Sequence, residues 1–410
     1  MRTLLFSLLF AASAFAQSNP KTPVAKTTGV DQEVLSQIPQ RMKSFVDKQT
    51  VAGAVTLVSH GDDVVEFDAT GMADIEAGHP MRKDSIFQIM SMTKPVTAIG
   101  IMMLAEQGKL ALRDPVEQYL PEFHGVRVAT TAGPDSARLS VPFHELTIRD
   151  LLTHTAGIQD YPGPPAIRDY PQTMSVPLDE VVRQLAKQPL LFQPGTQWSY
   201  SSPGIEILGR IIEVVSGEKY VDFITGHILQ PLGMKDSFFF PPPDKIARIA
   251  MVYAHQDGKL VRAPATILGG DPARYRQGAV FPAPGWGLYS TAEDLLHLYR
   301  MMLNDGEYEG HRYLSPFSVH LMTEPQTTGV QAGWMRGSDY GLAWEVVTDP
   351  LGELAGHTLG SYGHGGAFGT QGWIDPNNDL ISILMIQNSG EGAESMTRVF
   401  LNMAESGISK

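Results

Sequence analysis

Val34, Leu35, Ile38, Met42 and Phe45 recur at intervals of three and four between Asp31 and Val46, the spacing of one helical face, with Asp31 placed to cap it. The next stretches change period. Val51 to Val58, Val64 to Thr70 and Ser85 to Met90 are short runs rich in β-branched and aromatic residues, broken by Gly61-Asp62-Asp63. They predict a hairpin and a further extended piece. A long helix is then expected over Met92 to Gln107, with Ile99, Met102, Met103 and Leu104 inward and Gly108 ending it. Pro95 must lie in its first turn, where a missing N–H costs little, so the helix begins close to Ser91.

From Leu110 to about Gly270 the pattern gives helical patches (Ile148 to Leu152, Leu178 to Ala186, Ile205 to Val215, Val221 to Ile228) between proline-rich loops such as Pro162-Gly163-Pro164-Pro165 and Pro241-Pro242-Pro243. Thr291 to Leu303 reads as another amphipathic helix, introduced by Ser290 and broken at Gly306. Strand-like runs follow at Gly341 to Val347, Gln371 to Ile374 and Leu380 to Gln387, before a final helix from Glu391 to Glu405. The expected fold class is α/β in the α+β sense. Its antiparallel sheet is flanked by helices and built from both termini, residues 31–108 and 271–410, around an all-helical insert at 109–270. There is no internal repeat.

The first residues have a different character. A short basic start (Met1-Arg2-Thr3), an apolar stretch from Leu4 to Ala12 and the small-x-small Ala14-Phe15-Ala16 read as a signal peptide over residues 1–16, followed by a flexible tail at 17–30. No later run is long and apolar enough to span a bilayer, so the expectation is a soluble, exported protein, secreted or periplasmic. With 31 Lys plus Arg against 44 Asp plus Glu, the net charge of −13 disfavours nucleic acid and anionic lipid as partners. The absence of cysteine from all 410 residues excludes disulfides, thiolate metal sites and a Cys nucleophile. Chemistry falls to Ser, His, Lys, Tyr and the carboxylates, with no cofactor or metal implied.

The chain lacks G-x-S-x-G, H-E-x-x-H, G-x-x-x-x-G-K-[ST] and G-x-G-x-x-G, which removes support for α/β-hydrolase, zincin, NTPase and dinucleotide readings. It does contain S-x-x-K at Ser91-Met92-Thr93-Lys94, at the start of the long helix. That spacing sets hydroxyl and amine on one face, where the amine can take the hydroxyl's proton. The same spacing occurs at Ser18 with Lys21 and at Ser216 with Lys219, but only Ser91 stands between an extended piece and a helix.

Ser91 to Lys94, Tyr200-Ser201-Ser202 and His364-Gly365-Gly366 stand in the order and spacing of the three motifs of penicillin-recognising serine hydrolases. The chain most resembles class C beta-lactamases and their esterase relatives. Leu151 to Gly157, Pro194-Gly195 before Trp198-Ser199-Tyr200, Gly287 to Thr291 and Tyr340 to Trp344 look like that family as well. The resemblance implies Ser91 as acylated nucleophile, Lys94 as its proton partner and Tyr200 as the base serving leaving group and water. It places the N–H groups of Ser91 and Ala367 in an oxyanion hole, and Ser202, His364, Gly365 and Gly366 against the substrate. His154 reads as a structural, hydrogen-bonded histidine.

Two positions depart from the beta-lactamase pattern. Ser202 stands where Asn is usual and lacks the amide that holds both a substrate carbonyl and the lysine. His364 replaces Lys, and a fixed cation ~4 Å from a substrate carboxylate is worth up to about 4 kcal/mol at an effective dielectric near 20. Neutral small-molecule esters or amides should therefore be preferred to anionic beta-lactams. Protonation of His364 near its ordinary pKa of about 6.5 would restore the cation as pH falls. A carboxylesterase with weak beta-lactam hydrolysis is the first expectation. A beta-lactamase or D-amino-acid-specific peptidase is the alternative, and a non-catalytic peptidoglycan-binding module the outside one.

Overall fold

The computed structural model describes residues 29–130, 138–161, 174–264, 272, 276–327, 329–352, 356–390 and 392–409. The leader, most of the tail with its Ser18–Lys21 pair, and the Pro162-Gly163-Pro164-Pro165 loop lie outside the described residues. Eight strands form one antiparallel sheet: β1 (Gly53–His60), β2 (Asp63–Asp74), β3 (His79–Pro80), β4 (Ser338–Tyr340), β5 (Glu345–Val347), β6 (Tyr362–Gly365), β7 (Gln371–Asp375) and β8 (Leu380–Met385). Their spatial order is β4-β5-β6-β7-β8-β1-β2-β3, so the two ends of the chain meet where β8 pairs with β1, Leu380 opposite His60 and Met385 opposite Val55.

Period-two alternation decides which face each strand residue serves. In β8, Leu380 and Leu384 join one core while Ile381, Ile383 and Met385 join the other, which is why the run is apolar at every position but Ser382. Helices α1 (Ile38–Asp47) and α6 (Glu394–Ser406) bury Ile38, Met42, Phe45, Met396, Phe400 and Leu401 in the first core. Helix α5 (Ala292–Leu303) packs on the other face, and Thr291 rather than Ser290 caps it by accepting from the Asp294 N–H. Behind it, α2 (Thr93–Glu106) is buried on every side from Thr93 to Leu104. It packs against α4 (Ser202–Ser216), where Gly100 lies close to Ile212. A helix apolar all round belongs in a core, and α2 crosses the centre of this one.

Several expected elements differ. Ser85 to Met90 is not a sheet strand: only Phe87–Gln88 is extended, pairing with Tyr289–Ser290, because Met90 turns the chain at φ 50°. The 109–270 stretch has more helix than strand among its described residues but is not all-helical: it holds two short paired segments, Val128–Thr130 with Arg138–Ser140 and Tyr253–Gln256 with Lys259–Arg262, too short to show an alternation. The helix over Val221 to Ile228 is Tyr220–Ile224 followed by a π-helical turn at Thr225–Leu229. Gly341 to Val347 is broken by Ala343 at φ 62°, which leaves β4 and β5 as separate strands. At the end of the tail, Gly29–Val30 pairs with Ile408–Ser409.

Candidate active site

The turn that carries Ser91 is held from three sides. Met90 takes its left-handed backbone at a cost of roughly 1–2 kcal/mol, and Met90–Met92 forms a 3-10 turn leading into α2. The Thr93 hydroxyl donates to Met90 O at 2.6 Å and accepts from the Leu288 N–H at 3.1 Å. The Ile89 N–H donates to Leu288 O, and the Thr370 hydroxyl donates to Ile89 O at 3.3 Å. Gly366 packs so closely on Ile89 O and Thr370 that a Cβ there would overlap both. The first and third motifs are thus locked together through backbone.

Lys94 is fully buried, and its Nζ lies 3.1 Å from Ser91 Oγ, 3.2 Å from Ser202 Oγ and 2.8 Å from Gly285 O. These are three acceptors for an ammonium. They serve a neutral amine equally well, because its two hydrogens can go to Ser202 and Gly285 while its lone pair accepts from the Ser91 hydroxyl. Burial lowers the lysine to about 8, against the opposing pull of the Asp160 and Glu206 carboxyls. Ser202 therefore still holds the lysine with its hydroxyl, although the shorter side chain led to the opposite expectation.

Tyr200 precedes α4, whose cap is Ser201, accepting from the Gly204 N–H. His154, at φ 58°, fixes this segment twice: its carbonyl accepts from the Ser199 N–H and its Nδ1 from the Ser201 N–H at 3.2 Å. The structural reading of His154 matches this placement. Lys94 Nζ stands 4.6 Å from the centre of the Tyr200 ring. Burial pushes the Tyr200 phenol well above its ordinary range, partly offset by a hydrogen bond with Ser91, so the group is a neutral O–H.

His364 does not behave as expected from sequence. It is 3 % exposed, its Nδ1–H donates to Gly365 O at 2.6 Å and its Nε2 accepts from the Tyr340 hydroxyl at 2.7 Å. Burial, then the charge of Lys94, lowers it to about 3, so no cation forms there near pH 6. Beyond it, β6 is paired with β5 only as far as Gly363, which leaves its Gly365 end open toward Ser91. Ala367 is exposed in the following turn, and its N–H has no partner among the described residues.

Three contributors escaped the sequence reading. Asp160 accepts from the Ser202 N–H at 2.9 Å. Glu206, one turn further along α4, is wholly buried. Trp334, 61 % exposed, lies 4.8 Å from the Tyr200 ring and 5.5 Å from Trp198, forming with Tyr340 an aromatic wall beside the Ser91–Lys94 pair. In sequence Asp160 and Glu206 look like ordinary polar residues of a loop and a helix. Ser216, the competing S-x-x-K serine, donates to Ile212 O at 2.6 Å as part of a helix end.

Comparison with known proteins places this arrangement. The family model described as Beta-lactamase matches residues 38–404. Esterase EstB of Burkholderia gladioli is 30% identical over 382 residues, covering 87% of this chain and 91% of its own. A Salmonella enteritidis relative named among the D-alanyl-D-alanine carboxypeptidases is 28% identical, covering 98% and 94%. The solved structure of EstCE1, a hydrolase with promiscuous acyltransferase activity, superposes with a TM-score of 0.75 at 23% identity, covering 92% of this chain and 99% of that one, a likeness of fold.

Proposed function

The chain belongs to the beta-lactamase family of serine hydrolases, and on that footing we propose that it is an esterase acting through an acyl-enzyme on Ser91. The observation that carries the reading is the contact of Lys94 Nζ with Ser91 Oγ at a fully buried lysine whose proton affinity is lowered to about 8. At pH 7 about a tenth of such an amine is free to accept a proton.

Ser91 Oγ attacks the ester carbonyl and its proton passes to Lys94 Nζ. The oxyanion is received by the N–H groups of Ser91 and Ala367. Collapse expels the alkoxide, which takes the Tyr200 hydroxyl proton, and Tyr200 is reprotonated from the Lys94 ammonium. Water then repeats the sequence on the acyl-enzyme, and the acid leaves with all three groups restored. In this scheme Lys94 is the acylation base and Tyr200 the relay, because burial favours the neutral phenol.

Neutral esters are favoured as substrates. Lys94 is buried, His364 is uncharged, and the wall of Trp198, Tyr200, Tyr340 and Trp334 offers apolar surface. The name of the Salmonella relative keeps D-alanyl peptides as the second reading. Export on the leader of residues 1–16 is part of the proposal and would appear as a mature chain shortened at Gln17. The test is Ser91→Ala: hydrolysis of p-nitrophenyl acetate and covalent labelling by an alkylphosphonate should both vanish with the fold intact. Retained turnover overturns the assignment, and D-alanyl-D-alanine cleavage without ester turnover transfers it to the peptidase reading.

A further inference from the structure

Glu206 is fully buried, and neither of its carboxyl oxygens is in good hydrogen-bond geometry with a described residue, the backbone of Gly285 being the polar group beside it. Such a group is costly to leave poorly satisfied, and more so if it is charged. Its surroundings connect it to the site. Gly285, whose carbonyl accepts from Lys94 Nζ, packs against Glu206 so that a Cβ on it would stand 3.3 Å from Oε1 and 3.1 Å from Ser202 O. Ser202, the other support of Lys94, is one helical turn away on α4. The carboxyl and the amine thus lie on two sides of one thin partition made of Gly285 and Ser202.

We propose that Glu206 is a positioning residue acting through Lys94, sharing one proton with it and so setting the pH at which the amine becomes free to receive the Ser91 proton. This rests on the reading that Lys94 takes the Ser91 proton. An ammonium with a carboxylate and an amine with a carboxylic acid carry the same net charge, so moving the proton between them leaves the charge of the buried cluster unchanged. The other groups facing the pair are Asp160 and Tyr161 from the segment after α3 (Ile148–Leu152), Tyr220 from its short helix, Arg276, and, on the Lys94 side, Tyr200 and the uncharged His154 and His364. The Arg276 guanidinium is directed to the carbonyls of Phe239 and Gly287. The Tyr161 hydroxyl is itself buried and has no partner among the described residues, and the Tyr220 hydroxyl is bonded to Thr97, which leaves Asp160 as the second carboxyl sensed by Lys94. Burial holds Glu206 well above the ordinary carboxylate range, in keeping with a group that carries the proton part of the time.

The experiment is the pH dependence of Ser91 labelling by a p-nitrophenyl alkylphosphonate in the full chain, for wild type, Glu206→Gln and Glu206→Asp. A carboxylate steadies the ammonium, so its loss makes Lys94 easier to deprotonate. In Glu206→Gln the acid limb should therefore move to lower pH by about one unit, a roughly tenfold faster labelling well below the limb. Glu206→Asp should keep the limb near its wild-type position. Should the Gln variant fail to fold by circular dichroism, Glu206→Met carries the same expected shift. A uniform fall in rate with the limb in place overturns the proposal and leaves a purely structural carboxyl. If the wild type is not labelled at Ser91, it is the hydrolase reading that fails.

Discussion

Replacing Gly366 by Ala tests how the third motif is held against the nucleophile. The added methyl would lie roughly 1 Å inside normal contact with Ile89 O and with the Thr370 hydroxyl. The hydroxyl can rotate away, but the carbonyl belongs to the backbone two residues before Ser91 and is also fixed by Thr370. Relief therefore requires the Gly366–Ala367 turn to move by about the overlap. A displacement of ~1 Å at a reacting group costs on the order of a hundredfold in rate, about 2.7 kcal/mol, and should appear in kcat because the oxyanion donors are engaged mainly in the transition state. The assay is p-nitrophenyl acetate hydrolysis across substrate concentration, with a thermal melt to show that the variant is folded. Gly226→Ala, far from the site in sequence and outside its motifs, is the control. Its methyl would meet nothing within 4 Å among the described residues and should change kcat by less than about threefold. A Gly366→Ala variant as active as that control would refute the idea that this contact sets the geometry of the site.

Two further outcomes follow from the same geometry. Tyr200→Phe should lower kcat by about two orders of magnitude with a smaller change in KM, whereas a rise in KM alone would make Tyr200 a substrate contact. Because His364 is held neutral down to about pH 3, the ratio of kcat/KM for anionic beta-lactams to that for neutral esters should be flat from pH 5 to 7. A ratio climbing toward pH 6 would show that His364 is protonated in the working enzyme.

Much of the site was legible because its chemistry depends on short local spacing. Ser91 and Lys94 are one helical turn apart, and that spacing by itself brings hydroxyl and amine together at 3.1 Å. Strongly periodic helices such as α1 were legible for the same reason. Less visible was anything fixed by tertiary burial. His364 looks like a titratable imidazole until Tyr340 and the Gly365 carbonyl are seen to occupy both nitrogens. Glu206 occupies a place that local sequence would leave in water, and only the packing of Gly285 and the insert helices closes over it. The extended reading of Ser85 to Met90 failed at Met90, whose carbonyl is held by the nearby Thr93 hydroxyl, itself fixed by the Leu288 N–H, a contact remote in sequence. β6 escaped because glycines at 363 and 365 weaken the strand signal, though these glycines let Trp373 and Gln371 pack against it.

The pairing of β8 with β1 also has a consequence for the order in which the molecule can be assembled. His60 finds its partner, Leu380, roughly 320 residues later, and Gly29–Val30 waits still longer for Ile408–Ser409. A chain emerging from the ribosome therefore holds the hairpin β1–β2 with an unpaired edge until residues 380–385 have been made. Contacts of such sequence separation slow folding and lengthen the period in which an open strand can join a neighbour's. The same adjacency makes the ends interchangeable with an internal loop: a circular permutant joined across residues 29 and 409 and opened at the exposed Gly310 turn would keep every ladder of the sheet. In that permutant β8 is synthesised shortly before β1, and the longest wait in the fold disappears.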